Sequence, residues 1–343
     1  SFVPLLFPNR RQVSMAGTGK AHLRNSPAPI LRVEDLVIQY RTKGQLPVQA
    51  VSGVSLEVHS GETLAIIGES GCGKSTLGKG ILQLIETQSG SVVFDGVDIT
   101  KLSKEDLRQT RPNIQMIFQD SISALDPHMT VSSIVEQPLK VWNRGNAEER
   151  KTKVNDLLRS VGLDPEVVGD RKPSEFSGGQ CQRISIARAL TLTPKVLICD
   201  EPVSSLDVSI QAQILNILQE MKNRYGLSLV FISHDLAVVR AISTRIVVMY
   251  LGKICEIADP DTLCETPRHH YTHALVSSVP VPDPTIKNRR AILQGEPPSP
   301  TNPPSGCRFR TRCPAATDLC STEEPQLRES SPGNFVACHH PRS

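Results

Sequence analysis

Thr63-Leu64-Ala65-Ile66-Ile67-Gly68-Glu69-Ser70-Gly71-Cys72-Gly73-Lys74-Ser75-Thr76 is the stretch that decides the fold. It opens on a near-continuous apolar run, the pattern of a strand buried on both faces. The residues from Gly68 fit G-x-x-x-x-G-K-[ST] without a mismatch, and a helix-like segment, Leu77 to Ile85, follows. Strand before and helix after are what separate a phosphate-binding loop from a glycine-rich turn with a chance lysine. Gly68, Gly71 and Gly73 let the backbone curl until several N–H groups face one phosphate, and the helix start adds its positive end. Lys74 is suited to the β- and γ-phosphates of ATP, and the Ser75 hydroxyl to Mg²⁺. Ser70, Cys72 and Thr76 complete the loop. Cys72 reads as a small filler, since no neighbouring base would activate it.

Working outward, Leu36 to Tyr40 and Val51 to Val58 read as strands before the loop, with a turn-prone Lys43-Gly44-Gln45-Leu46-Pro47 between them. Lys195 to Cys199 and Leu229 to Ile232 repeat the buried-strand pattern beyond it. The alternation indicates an α/β fold with sites at the carboxyl ends of strands. Asp200 and Glu201 stand at one such end. A solvated acidic turn would look the same in isolation, but a phosphate-loop enzyme needs an acid for its metal. Asp200 therefore reads as the Mg²⁺ partner and Glu201 as the base or water-orienting group. Ser132 to Leu139 and Ala147 to Val161 read as helices, so residues 115–175 form a helical subdomain inserted between halves of the sheet.

The balance of 21% charged and 38% hydrophobic residues suits a globular chain with a full-sized core. A net charge of +3 is too small to argue for nucleic acid or an anionic membrane surface. No run approaches the ~18 apolar residues of a spanning helix, so membrane association is expected through protein partners. Residues 1–30 carry Arg10, Arg11, Lys20 and Arg24 without an acid and read as a disordered leader, a targeting peptide being the alternative. Beyond Pro280 the composition turns Pro-rich, a linker into a tail holding Cys307, Cys313, Cys320 and Cys338.

Ser177-Gly178-Gly179-Gln180 resembles the signature motif of ABC ATPases, and the family's other elements accompany it in order. Gln119 resembles the Q-loop glutamine, Ser205-Leu206-Asp207 the D-loop, His234 the switch histidine, and Tyr40 the aromatic residue that stacks on adenine. Singly each has a bland reading: a loop, a structural histidine, a tyrosine packed at a strand end. Six in one order, the phosphate loop included, do not. The resemblance implies a P-loop NTPase of the ABC cassette type over 31–280. It also implies catalytic roles for Glu201, His234 and Gln119, and Mg²⁺ held through Ser75, Gln119 and Asp200. Ser-Gly-Gly before a helix is a second anion site. One chain has no use for two γ-phosphate cradles, so the economical reading is a head-to-tail pair of cassettes clamping ATP between phosphate loop and signature.

Thr266 to Leu275, Gly295-Glu296-Pro297-Pro298-Ser299-Pro300 and Gly306-Cys307 are similar to the tail of oligopeptide/dipeptide importer ATPases, a group that includes nickel and glutathione importers. Cys181, His270 and Ser121 depart from that pattern without removing a catalytic group. The resemblance implies peptide import from the cytoplasmic face of the inner membrane, with two permeases, a second and different ABC ATPase chain, and an external substrate-binding protein. It further implies a small Cys-rich C-terminal domain over 281–343, with a [4Fe–4S] cluster on the four cysteines. Their C-x5-C-x6-C-x17-C spacing matches neither paired zinc motifs nor ferredoxin runs, and Zn²⁺ remains the alternative. A soluble ABC protein working on nucleic acid or ribosomes is the rival. A single cassette, mild charge and no coiled coil count against it.

Overall fold

The computed structural model describes residues 19–24, 27–41, 44, 46–278 and 295–343. Two sheets organise the described residues. Strands β1 (Leu31–Tyr40), β2 (Val48–Val58), β4 (Ser89–Phe94) and β5 (Val97–Asp98) form an antiparallel sheet of order β2-β1-β4-β5. The second sheet uses β3 (Thr63–Ile67), β6 (Ile114–Ile117), β7 (Val196–Asp200), β8 (Ser228–Ile232), β9 (Arg245–Tyr250), β10 (Lys253–Ala258), β11 (Arg328–Ser331) and β12 (Asn334–Val336). Its order is β11-β12-β10-β9-β3-β8-β7-β6. The stretch from β9 to β6 is parallel, and β10, β12 and β11 continue it antiparallel.

Every residue of β3, β7 and β8 is buried. Alternate side chains go to opposite faces, as the pleat requires. Ala65, Ile67, Leu197, Cys199, Leu229 and Phe231 join the core shared with the helical region. Leu64, Ile66, Val196, Ile198, Val230 and Ile232 join the core under the antiparallel sheet and helix Lys74–Ile81. The parallel strands therefore cannot shift register without exposing one face or the other, and their carboxyl ends are fixed points for the loops that follow.

The helical region differs from the expected 115–175. Ile114–Ile117 is a strand of the main sheet, paired with β7. The helices run from Val131–Val141 through Ala147–Ser160 and Pro165–Val168 to Gly178–Leu190. Within the expected leader, residues 19–24 are packed rather than disordered. His22 and Leu23 are buried, and His22 Nε2 donates to the Ser55 carbonyl at 2.8 Å. Residues 1–18, 25 and 26 lie outside the described residues, as do 279–294 of the expected linker.

The C-terminal tail continues the cassette's own sheet. Phe335 and Val336 pair with Ile257 and Glu256, while Phe309 and Phe335 enter the two main cores. The buried Glu256 carboxylate accepts the N–H groups of Arg268 (2.9 Å) and His269 (2.8 Å) and the Asn334 amide (3.2 Å). Burial raises its pKa, and these donors oppose the rise. The knot fixes the start of helix His270–Ser278 and the last strand together.

Candidate ATPase site

The phosphate loop leaves β3 and enters helix Lys74–Ile81 with Gly73 at the N-cap, φ +102°, and no side chain capping the amides. A β-carbon on Gly73 would stand 2.0 Å from the Ala50 carbonyl oxygen, and one on Gly68 2.2 Å from that of Met249. Only glycine fits either place. Lys74, 4% exposed, turns its ammonium onto the carbonyls of Gly68 (2.8 Å) and Glu69 (3.0 Å). Cys72 is buried beside it, its thiol pushed up by that burial. Ser70 and Gly71 stay open to solvent. Thr76 reaches Tyr40, whose hydroxyl is 3.2 Å from the Thr76 hydroxyl, while much of the Tyr40 side chain is exposed.

β7 brings Asp200 to the loop. The Ser75 hydroxyl donates to Asp200 Oδ1 at 2.7 Å. Asp200 is 2% exposed, and desolvation raises its pKa, opposed by Ser75 and by Lys79 and Lys74. A buried carboxylate beside a hydroxyl, held up by lack of water, suits a divalent cation. Glu201 follows with φ +46°, an uncommon backbone for a side chain larger than glycine, and its N–H is tied to Ile232 O at 2.9 Å. The twist turns the carboxylate off the strand line. Gln119 Nε2 donates to Glu201 Oε2 at 3.1 Å, and His234 Nδ1 lies 3.4 Å from the same oxygen. Three residues from the ends of three parallel strands (β6, β7 and β8) thus meet at one atom.

Ser177, Gly178, Gly179 and Gln180 are elsewhere. Ser177 caps helix Gly178–Leu190 in a reciprocal box: its hydroxyl accepts the Gln180 N–H at 3.4 Å, and Gln180 Oε1 accepts the Ser177 N–H at 3.0 Å. Among the described residues none of the four bonds to the phosphate loop. A β-carbon on Gly179 would meet Ile210 Cγ2 at 2.6 Å, which explains the second glycine. Asp207 caps helix Val208–Tyr225.

Two residues that sequence reading missed touch the loop. The Glu69 carboxylate is paired with Arg312, and the Glu69 N–H donates to the Tyr271 hydroxyl at 2.7 Å. Chain separations of 243 and 202 residues leave no local signal for either.

Cys307, Cys313, Cys320 and Cys338 come near one another. The Cys307 N–H donates to Cys320 O at 2.8 Å. Burial pushes the Cys338 thiol up to about 11, with a further rise from the other three thiols. Yet among the described residues no group of three or more His, Cys, Asp or Glu is spaced to hold a metal ion. A [4Fe–4S] cluster or Zn²⁺ on these four cysteines is therefore not supported by the described residues.

A phosphate loop, an acid pair at the end of another parallel strand of the same sheet and a capped second glycine loop define a nucleotide-binding cassette. The ABC transporter family profile matches residues 51–204, and the profile of the oligopeptide/dipeptide transporter C-terminal region matches 255–320. The chain is 52% identical over 295 residues to the oligopeptide transport ATP-binding protein AppF of Bacillus subtilis, covering 85% of this chain and 89% of that one. It is 45% identical over 325 residues to the oligopeptide transport ATP-binding protein OppF of Haemophilus influenzae, covering 92% and 98%. A dimeric ATP-binding cassette solved in a post-hydrolysis state with ADP and Pi superposes with TM-score 0.62 at 29% identity, covering 67% of this chain and 98% of that one. The chain belongs to the ABC transporter ATP-binding family, in its oligopeptide/dipeptide branch, and is an ABC ATPase. Among the described residues no helix is long and apolar enough to cross a membrane.

Proposed function

We propose that this chain powers peptide import by closing on ATP against a second cassette and reopening on hydrolysis. The observation that carries the chemistry is the meeting of Gln119 and His234 on one oxygen of Glu201, with Ser75 on Asp200 alongside. Glu201 acts on the attacking water as base, and the amide and imidazole hold its orientation. Lys74 moves from the loop carbonyls to the β- and γ-phosphates, and His234 reaches the γ-phosphate. Ser75, Asp200 and Gln119 would hold Mg²⁺, which supplies charge neutralisation on the phosphate oxygens. Tyr40, with its ring largely open, stacks on adenine.

The signature loop completes the site from a second subunit. Its capping box shapes it locally, among the described residues no hydrogen bond joins it to its own chain's phosphate loop, and the superposable cassette is itself a dimer. Two membrane permeases, a second and different ATPase chain and an external binding protein make up the importer, with this chain peripheral at the cytoplasmic face. The cassette occupies 31–280. Residues 281–343 are a C-terminal extension, whose described part, 295–343, packs on the cassette. A metal at the four cysteines has only the resemblance and the approach of the thiols behind it, and the chemistry here uses none. Peptide is favoured over nickel or glutathione by the names of the relatives.

Glu201→Gln keeps the size and hydrogen bonding of the side chain while removing its basicity. The expected outcome is retained ATP binding, a stable ATP-bound dimer by size-exclusion chromatography, and turnover down by at least about a hundredfold. Undiminished hydrolysis would assign the base elsewhere. Loss of radiolabelled oligopeptide uptake in cells carrying this variant tests the solute.

A further inference from the structure

Glu69 is held from three sides. Arg312 grips its carboxylate with both terminal nitrogens, at 2.7 and 3.1 Å. Tyr271 accepts its N–H, and Lys74 donates to its carbonyl. The Arg312 side chain is 5% exposed, so water and salt screen the pair less than they would at the surface. Its guanidinium stands 5.9 Å over the Tyr250 ring, and one of its nitrogens is 3.4 Å from the Tyr250 hydroxyl. Tyr250, Tyr271 and Phe309 pack with ring centroids 4.7 to 5.4 Å apart. Arg312, carried by the C-terminal extension, therefore has a fixed seat made by Tyr250 and Tyr271 of the cassette together with Phe309. On the outer side of the loop lies a cavity of about 440 Å³, lined by Glu69, Ser70, Gly71, Cys72, Glu296 and Pro300 among others. An unpaired loop has room to relax in that direction.

We propose that Arg312 is a positioning residue of the ATPase site: by its two-pronged pair with Glu69 it holds the phosphate loop in the curl that receives ATP, which makes the C-terminal extension part of the nucleotide site. The inference rests on the reading of Gly68 to Thr76 as the ATP-phosphate cradle. A lysine cannot reproduce it, because a planar fork matches a carboxylate at two points and an ammonium at one.

The test uses the full chain with Arg312→Ala, Arg312→Lys, Glu69→Gln and the Ala/Gln double variant. It reads the Kd of a fluorescent ATP analogue, KM and kcat for ATP, and Tm without nucleotide. Arg312→Ala is expected to raise Kd and KM roughly tenfold, between the effects of exposed and buried pairs. Arg312→Lys should give a smaller rise, and the double variant should be no worse than the worse single. Lys253→Ala cuts another tether of the extension, to Glu324 at 2.6 Å, without touching the loop, and should leave KM unchanged. An unchanged Kd and KM in Arg312→Ala, or an equal rise in Lys253→Ala, overturns the inference. If Arg312→Ala does not fold, Arg312→Lys decides: a normal KM overturns it. Lys74→Ala separates the two layers. ATP binding that survives it sinks the cradle itself, whereas lost binding there with normal Arg312 variants sinks only the role of Arg312.

Discussion

The molecule has two glycine loops that open helices, and they are built in opposite ways. The phosphate loop starts its helix with Gly73, φ +102°, and leaves the first amides without any side-chain cap. The fold around it takes up the slack: Ala50 and Met249 press on its backbone, Lys74 is buried, and Glu69 is pinned by Arg312. The signature loop starts its helix with Ser177 in a complete capping box and lies at the surface. Its cap is local, with Gly179 packed against Ile210 beneath it. An anion site used by its own chain can borrow rigidity from the core; one offered to another subunit must carry its rigidity with it.

That contrast can be broken at Gly73. Gly73→Ala puts a methyl carbon against the Ala50 carbonyl at a backbone angle alanine resists. ATP binding, measured by equilibrium dialysis, should be lost altogether while far-UV circular dichroism keeps the fold. Detectable binding would mean the loop is less constrained than its packing indicates. Ser177→Ala sharpens the other side. Losing the cap should lower stability by about 1 kcal/mol, seen in urea denaturation, and should cut turnover while leaving ATP affinity of the single cassette intact. A large loss of affinity there would place the signature on its own chain's nucleotide.

The smallest effect on stability concerns Asp200. Burial raises its folded pKa above the ordinary value of 3.8. The folded state then holds a proton that the unfolded chain releases, so this carboxyl costs stability as pH rises from the unfolded value through the folded one. Asp200→Asn should raise the Tm of the nucleotide-free protein at neutral pH by about 2–4 °C. The gain should disappear near pH 3, while Mg²⁺-dependent turnover is abolished. A lower Tm would show that the carboxylate is well compensated as it stands.

The phosphate loop, the acid pair and the parallel strands were legible because each depends on neighbours in the chain: a fully apolar five-residue run, then polar atoms at its carboxyl end. Gln119 and His234 were legible by resemblance, although nothing local says that both reach one oxygen of Glu201. How the C-terminal region joins the sheet was not legible, for a physical reason. Arg328-Glu329-Ser330-Ser331 and Asn334-Phe335-Val336 are too short and too polar to announce strands. The pairing of Phe335 and Val336 with β10 joins residues about eighty positions apart. The same blindness hid Arg312. A charge near a cysteine in a Pro-rich tail carries no sign that its partner lies in the first glycine loop.

The polar hairpin of β11 and β12 has a consequence for handling the protein. β10 is buried over Cys255 to Ala258, and stripped of β12 it would present bare backbone donors and acceptors beside apolar side chains, a template for strand-by-strand aggregation. Three of the four β11 residues are exposed, and the strand carries Arg328 and Glu329, a charged and unreceptive border. Shortened versions of the chain that stop before Arg328 should therefore precipitate even where every residue that meets ATP is kept.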